Sequence, residues 1–336
     1  MGNINTKPKA KNNAEVDLLS LLNHDCWERV ISYLDVRSQI RIAFTSDNLY
    51  KIFKNYARQK YKHINKELTK TLSKHESEHL LKIIGEHVLS YQAPECHEDE
   101  KRYTEIELFL QSSTESKIHI PFVIKKRRNL YKQHFEMVIK MCPHLELFEF
   151  RSSRLTRDLN YEIICQLLRL KHLRLWIGYP LRPQFLEVLT QNPGLRMESL
   201  ALQGVELSKE QVQQICTISS LKRLDLTCDW LPVELFLKLQ PLEHLKLNMP
   251  SILNEGLLKL VKDLPHLSML NILCCPLITE DFVVEAYAFI RNATQREHKL
   301  SLSLNDSNIN WKNIDSSSYY NYRHLLEITD VTKMYK

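Results

Sequence analysis

The chain has 336 residues, of which 43% are hydrophobic and 26% charged, a composition typical of a globular protein. Its net charge of +6 suits an acidic partner but is too small for a dedicated nucleic-acid-binding protein. The six glycines are too far apart for a GxGxxG loop, a Walker A loop or a GxSxG elbow, which disfavours nucleotide-dependent enzymes of the common folds. Eight cysteines without a CxxC pair are typical of buried thiols in a reducing compartment.

Residues 1–14 are polar and basic, and we expect them to be disordered. They lack the apolar core of a signal peptide, and no run in the chain approaches the ~18 apolar residues of a membrane helix, so a cytoplasmic or nuclear location is expected. Met1, Gly2 and Thr6 have the spacing of an N-myristoylation site, which makes Gly2 a candidate for lipidation. Three nearby lysines would supply the second, electrostatic signal for anchoring. The alternative is an ordinary disordered N-terminus.

Residues 15–58 are predicted to be helical, because their apolar residues recur at helical spacing and Asn23 or Asp25 can cap a helix. The segment LLNHDCWERVISYLDVRSQIRIAFTSDNLYKIF, residues 21–53, resembles an F-box. The motifs that carry the resemblance are Leu22-Asn23-x-Asp25-Cys26, Val30-Ile31-x-x-Leu34 and Ile40-x-x-Ala43-Phe44.

The F-box resemblance implies a three-helix unit that docks on the Skp-type adaptor of SCF ubiquitin ligases. It assigns adaptor contacts to eight residues: Leu22, Asp25, Cys26, Val30, Ile31, Leu34, Ile40 and Phe44. The alternative is a helical cap for the repeats that follow, since a repeat array needs a cover on its first apolar face.

Residues 59–82 form a charged, helix-prone segment without Gly or Pro, which we interpret as a helical linker. Within it, His75, Glu76 and His79 match the HExxH pattern of zinc hydrolases. A solvated helix face explains the same residues, and we expect no metal and no cofactor. Residues 83–140 are interpreted as degenerate repeats, with a strand near Val88–Tyr91 and β-like stretches at 103–110 and 117–124.

From residue 145 onward the chain repeats an LxxLxL phrase six times, with starts at 145, 170, 197, 221, 242 and 267. A spacing of 21 to 27 residues is typical of leucine-rich repeats, in which each unit is a strand and a returning helix. An apolar residue often follows ten positions after the start, as at Leu155, Leu207, Leu231, Ile252 and Leu277. Cys142-Pro143-x-Leu145 and the segment 267–282 resemble leucine-rich F-box proteins. A weaker seventh unit is expected at 299–304, and 311–336 is expected to cap the last repeat.

Side chains alternate along a strand, so the residues between the repeated leucines are predicted to share the face away from the core. They include a mostly basic stripe that we interpret as a site for an acidic or phosphorylated protein segment. The candidate substrate-binding residues are His172, Arg174, Trp176, Arg223, Asp225, His244 and Lys246. Exposed strand positions are polar by default, which is the alternative explanation.

The predicted fold is α/β: an N-terminal three-helix F-box (15–58), a helical linker (59–82), a leucine-rich-repeat solenoid (83–310) and a C-terminal cap (311–336). The resemblance implies a non-catalytic substrate-recognition subunit of an SCF-type E3 ubiquitin ligase, with a Skp-type adaptor, a cullin scaffold and a target protein as partners. Two alternatives stay open: a non-ligase interaction scaffold, membrane-tethered through Gly2, and a zinc hydrolase that uses His75 and His79.

Overall fold

The structure is a computed structural model that describes residues 22–93, 135–152, 160–177, 181–192, 195–204, 207–228, 232–292, 299–314 and 325–330. Within these ranges, three N-terminal helices precede one parallel sheet of ten strands. None of the described helices is both long enough and apolar enough to cross a membrane. The predicted disordered N-terminus, Gly2 and the β-like stretches at 103–110 and 117–124 lie outside the described residues.

The N-terminal helices are α1 (His24–Tyr33), α2 (Val36–Ala43) and α3 (Asp47–Lys60). Each begins at a polar residue whose side chain accepts a hydrogen bond from the first turn: Asn23, Asp35 and Ser46. Asn23, rather than Asp25, therefore caps α1. The carboxylate of Asp35 accepts bonds from the backbone N–H and hydroxyl of Ser38, and these bonds lower its pKa. Short capped turns thus separate the three helices and let them fold back on one another.

The strands pair in parallel, each with the next along the chain, so the strand order follows the sequence from β1 to β10. Their bounds are β1 His63–Ile64, β2 Ser90–Gln92, β3 Leu147–Ser152, β4 His172–Ile177, β5 Ser199–Gln203, β6 Arg223–Thr227, β7 His244–Asn248, β8 Met269–Leu273, β9 Leu300–Leu304 and β10 Leu326–Asp330. Five of the six LxxLxL phrases, together with the predicted seventh unit, end in strands β4 to β9, and the phrase at 145 ends in β3.

Helical segments connect the strands. They are α4 (Lys66–Thr71), α5 (Lys74–Ile84), α6 (Pro183–Gln191), α7 (Lys209–Ile215), α8 (Asn254–Asp263), α9 (Glu280–Asn292), the helical residues 135–141, and the 3-10 turns Gly85–His87, Tyr161–Gln166, Val233–Lys238 and Trp311–Asn313. Neighbouring connections contact one another, as α6 does with α7 and α8 with α9. The result is a repeated strand and helical return, with the helical segments packed side by side.

The core lies between the sheet and these helical segments. On β7 the residues alternate between buried and partly exposed, with Leu245 and Leu247 almost fully buried. Buried residues of α1–α3, of the strands and of the helical returns form one continuous cluster. Each fully buried leucine contributes about 1.5–3 kcal/mol, so the repeated leucines supply most of the stability of this region. The alternate strand residues lie on the other face of the sheet, which we call the open face.

Two predicted boundaries differ from the structure. The segment 59–82, predicted as a helical linker, contains the strand β1 as well as α4 and most of α5, and α5 contacts both α2 and α3. The sheet therefore begins at His63, twenty residues before the predicted repeats. The segment 311–336 contributes the tenth strand, whose residue Leu326 pairs with Leu300 of β9.

In the repeat that starts at 267, the apolar residue ten positions after the start is not the buried one. Leu277 is 48% exposed, whereas Ile278 is fully buried. Cys274, just after β8, has a backbone φ of 54°, in the left-handed region. This turn changes the direction of the chain after β8, so Ile278, one residue after Leu277, is the one that enters the core. Leu207 and Ile252, ten positions after their repeat starts, are buried, and Leu155 and Leu231 lie outside the described residues.

Candidate functional site

The surface of α1 carries an apolar stripe that is separate from its buried side. Trp27 and Ile31 face the core. At helical spacing on another side, Cys26, Val30 and Tyr33 remain exposed, and Leu22, just before the helix, is exposed as well. Tyr33 is 78% exposed, the largest value among the exposed large apolar residues of the described chain. Exposed apolar residues gathered on one side of a helix mark an interaction surface.

Phe44 ends α2 and adds an aromatic residue to the exposed apolar surface of the helical unit. It is 52% exposed, yet its ring has fixed neighbours. The ring centroid of Tyr50 lies 6.0 Å away, and the ring of His79 packs edge-on at 4.7 Å. An aromatic side chain held in place but open to solvent can enter a partner's pocket at low entropic cost.

The structure divides the eight predicted adaptor-contact residues into three groups. Five are exposed: Leu22, Asp25, Cys26, Val30 and Phe44. Leu34 is partly buried. Ile31 and Ile40 are 0% and 3% exposed, so in this structure they pack inside the chain and are not available to a partner. Their predicted place on the contact surface is therefore wrong for this structure, in which they hold the helices together. Tyr33 was not predicted, although its spacing of three residues from Val30 places it on the same side of α1.

A buried amide fixes the angle between α1 and α2. Gln39 is fully buried, and its Nε2 donates to the carbonyl oxygens of Ile31 at 2.9 Å and Leu34 at 2.8 Å. Its Oε1 accepts a 2.5 Å hydrogen bond from the hydroxyl of Tyr61. Burial raises the pKa of Tyr61, so the hydroxyl stays protonated and can donate. This network ties the end of α1 to α2 and to the residue that follows α3.

The helical unit is also tied to the start of the sheet. Arg37 of α2 donates to the carbonyl oxygen of Thr71 at 2.7 Å, and its Nε lies 3.0 Å from Oε1 of Glu76, an ion pair without the alignment of a hydrogen bond. Glu76 also accepts a bond from the backbone N–H of Ser73 in the capping box of α5. Burial tends to raise the pKa of Glu76, but the bonds from Ser73 and the charges of Arg37 and Arg41 outweigh it and lower the pKa. These contacts set the orientation of the three helices relative to the sheet.

His75 and His79 lie on one side of α5, and their Nε2 atoms are 3.1 Å apart. Burial, and then the neighbouring His75 and Lys82, lower the pKa of His79. Glu76, which would be the base in the HExxH pattern, accepts a hydrogen bond from Ser73 and forms an ion pair with Arg37. The described ranges contain no group of three or more His, Cys, Asp or Glu that could hold a metal ion. The histidine pair therefore lacks the third protein ligand of a catalytic zinc site within these ranges.

The predicted substrate-binding residues do share the open face. Strand pairing aligns a first row of His172, Ser199, Arg223, His244 and Met269, and a second row of Arg174, Ala201, Asp225, Lys246 and Asn271. Trp176 follows Arg174 on β4 and is 41% exposed. Neighbouring strands are about 4.8 Å apart, so the two rows form one contiguous surface.

Glu149, which continues the second row onto β3, is buried in a charge cluster at the N-terminal end of the open face. It is only 3% exposed. Its carboxylate lies 3.2 Å from the Nζ of Lys66 and 3.7 Å from a guanidinium nitrogen of Arg174, and it accepts a 3.2 Å hydrogen bond from Gln92. Lys66 comes from α4, so no spacing within the repeats could indicate this contact. One carboxylate thus faces two cations, and Arg174 keeps a 54% exposed side chain.

A second cluster lies at the centre of the open face. Oδ2 of Asp225 is 3.3 Å from the Nζ of Lys246 and also accepts a short hydrogen bond from Gln203. Lys246 is therefore largely neutralised by a residue of the same face. The stripe is less basic than the sequence alone indicates, because two of its cations have carboxylate partners.

Arg223 is exposed and forms no ion pair among the described residues. Its neighbour His244 has a lowered pKa because of burial and, second, the positive charge of Arg223. The Oδ1 atoms of Asn248 and Asn271 are buried and accept no hydrogen bond within the described residues. Arg223 is thus a cation of the open face with which an acidic group of a partner can pair.

Three described cysteines are core residues with protonated thiols. Cys142, Cys165 and Cys216 are buried, and burial raises their pKa values to about 12, 11 and 12. Such thiols stay protonated at neutral pH and act as small apolar core residues. Cys26 and Cys274 are exposed, and Cys96 lies outside the described residues.

Comparison with known families identifies the N-terminal helices. Residues 19–59 match the F-box domain family. The match covers α1, α2 and all but the last residue of α3, close to the predicted range of 15–58. F-box domains bind Skp-type adaptors in SCF ubiquitin ligases, in general as non-catalytic subunits. No curated protein matches this chain.

Proposed function

We propose that this chain is the substrate-recognition subunit of an SCF-type E3 ubiquitin ligase. The observation that carries the proposal is the F-box match at residues 19–59, on a helical unit whose exposed apolar residues have no cover among the described residues. In this proposal the F-box docks on the Skp-type adaptor and through it on the cullin. The sheet is a leucine-rich-repeat solenoid that holds the target protein on its open face.

The proposed mechanism is proximity. The chain supplies no reacting group, but it holds a target lysine near the charged conjugating enzyme and so raises the effective concentration of that lysine. The contacts between Arg37, Thr71 and Glu76 support this role, because a fixed orientation between F-box and sheet keeps the target at a constant distance from the adaptor. The cytoplasm and the nucleus are the proposed locations.

The residues proposed to contact the adaptor are those whose side chains are exposed on the F-box. Val30, Tyr33, Leu22 and Phe44 would each contribute about 1.5–3 kcal/mol if fully buried against the adaptor. Asp25 and Cys26, beside Leu22 at the start of α1, would lie at the edge of the same contact. Ile31 and Ile40 would act indirectly, by keeping α1 and α2 packed together.

The test is co-purification of the full chain with a Skp-type adaptor. Val30→Asp, with Val30 38% exposed on α1, should abolish the complex, because it buries an unpaired charge in the contact. Val284→Asp is the matched control, since Val284 is 47% exposed on α9 of the repeat region. The proposal fails if the wild-type chain forms no complex, or if both variants bind as the wild type does.

A second candidate is a non-ligase interaction scaffold tethered to a membrane. The Met1, Gly2 and Thr6 pattern favours it, because acylation of Gly2 with nearby lysines would give stable anchoring. Incorporation of a labelled myristate that Gly2→Ala abolishes, together with no adaptor binding, would favour the scaffold over the ligase subunit.

A further inference from the structure

Two arginines of the open face keep free hydrogen-bond donors after its internal ion pairs are formed. Arg223 of β6 has no ion-pair partner among the described residues. Arg174 of β4 meets Glu149 through one nitrogen at 3.7 Å, and Glu149 has the nearer Lys66 as a partner at 3.2 Å. Lys246, by contrast, is paired with Asp225. The cationic part of the open face is therefore centred on β4 to β6, not spread along all the strands.

The two arginines flank a strand with small side chains. Ser199 of β5 pairs in register with Arg223, and Ala201 pairs with Arg174. The arginines are two strands apart and offset by two residues along the strands, which puts their Cα atoms about 12 Å apart. Both long side chains can bend over β5, where neither Ser199 nor Ala201 obstructs them. The hydroxyl of Ser199 adds a third donor beneath them.

The nearby carboxylates do not prevent an anion from binding there. Asp225 is held by Gln203 and Lys246, and Glu149 is buried against Lys66. Guanidinium groups bind carboxylate and phosphate oxygens through paired hydrogen bonds, and are less strongly hydrated than an ammonium group. Two guanidinium groups and a hydroxyl around one point thus match an anionic group with several acceptor oxygens.

The same face carries apolar residues on both sides of the arginines. Trp176 is 41% exposed on β4, and Met269 is 46% exposed on β8. Met269 is two strands from Arg223 in the same row, again about 10 Å. An extended peptide advances about 3.3 Å per residue, so an apolar side chain about three positions from the anionic one would reach Met269. The occupant that fits is an extended protein segment, since a free anion would leave Met269 uncovered.

We propose that Arg174, Arg223 and Ser199 bind a phosphorylated or carboxylate side chain of an extended segment of the substrate protein. This inference rests on the proposed function, because it names the class of substrate that the open face recognises. A phosphoserine and a glutamate present the same chemistry here, and the experiment distinguishes them.

The experiment uses the full chain and an array of peptides with randomised flanks around a fixed central phosphoserine, glutamate or serine. Selected sequences are then measured by fluorescence anisotropy with an uncharged dye. Peptides with a central phosphoserine or glutamate should bind about tenfold more tightly than the serine versions. Tighter binding of phosphoserine peptides than of glutamate peptides would indicate a phosphorylated substrate. Equal binding of the two would indicate a substrate that is acidic without phosphorylation.

Variants of the chain locate the site. Arg223→Glu should weaken binding of the anionic peptides by about tenfold or more, and Arg223→Lys should weaken it less, because it keeps the charge but loses the paired donors. The control is Lys209→Glu, which makes the same charge change at the exposed first residue of α7 on the helical side of the sheet. It should bind as the wild type does.

The proposal is overturned if serine peptides bind as well as the anionic ones, if no peptide set prefers an anionic centre, or if Arg223→Glu binds normally. Adaptor binding is measured on the same samples. If the chain binds the adaptor but shows no preference for anionic peptides, the anion-binding site is refuted and the proposed F-box function stands. If the chain selects anionic peptides through Arg223 but does not bind the adaptor, the anion-binding site stands and the proposed ligase function is refuted.

Discussion

Replacing Gln39 with leucine tests whether the buried amide network holds the F-box helices in place. The change places an apolar side chain of similar size at a fully buried position and removes three hydrogen bonds. The carbonyl oxygen of Ile31 keeps a bond from the backbone N–H of Leu34. The Leu34 carbonyl oxygen and the Tyr61 hydroxyl lose their partners, at about 1–3 kcal/mol for each buried group. Allowing for the added apolar burial of leucine, we expect a net loss of roughly 2–4 kcal/mol.

The assay is native-state hydrogen exchange of the amides in α1 to α3. A loss of 2–4 kcal/mol corresponds to exchange faster by roughly 30- to 700-fold. Tyr61→Phe is the matched variant. Alone it should cost about 1 kcal/mol, and combined with Gln39→Leu it should cost less than the sum, because no hydroxyl is then left unpaired. Exchange in Gln39→Leu within about threefold of the wild type would refute the reasoning, as would strict additivity in the double variant.

The remaining predictions concern the contacts between F-box, sheet and helical segments. Glu149→Gln should lower the free energy of unfolding by about 1–3 kcal/mol in urea, because it leaves two cations without their carboxylate. Gly85→Ala should cost about 1–3 kcal/mol, since the added Cβ would overlap the carbonyl oxygen of Met141, whereas Gly256→Ala in α8 meets only ordinary side-chain contacts and should gain about 0.5–1 kcal/mol. The folded pKa of Glu76 lies below its ordinary value of about 4.5, so its stabilising contribution is present above that pH and lost as the pH falls through the folded pKa. The stability difference between Glu76→Gln and the wild type should therefore shrink between pH 7 and pH 3, measured by urea unfolding at each pH.

Each of these predictions has an opposing result. Unchanged stability of Glu149→Gln would mean that the buried cluster contributes nothing. Equal effects of Gly85→Ala and Gly256→Ala would contradict the close approach at Gly85. A stability difference for Glu76→Gln that grows toward acid pH would reverse the expected sign of its pKa shift.

The repeated strands were predictable because their pattern is local. The LxxLxL phrase alternates buried and exposed positions, and strands β4 to β9 lie where that alternation puts them. The rows of the open face follow from the same alternation, and strand pairing aligns His172, Ser199 and Arg223 as the spacing predicts. Spacing alone could not predict that Ile278 rather than Leu277 is buried, because a left-handed backbone at Cys274, uncommon for cysteine, precedes them.

Contacts between distant segments could not be predicted from one sequence. The short strand β1 has two residues and no periodic pattern, so its place in the sheet is visible only through its pairing with β2. The partners of Glu149 come from α4, β2 and β4, and they bury a carboxylate that strand alternation places on the open face. Ile31 and Ile40 look like contact residues in the F-box motif, but the packing of α1 and α2 buries them.

The most direct test of the proposed ligase subunit is titration of the full chain with a purified Skp-type adaptor, followed by calorimetry and by hydrogen exchange of the complex. We expect one adaptor per chain, with slower exchange in the peptides that contain Val30, Tyr33 and Phe44 and unchanged exchange in α9. Val30→Asp should abolish the heat of binding, and Val284→Asp should leave it intact. No measurable binding by the folded wild-type chain would contradict the assignment of this protein to an SCF ligase.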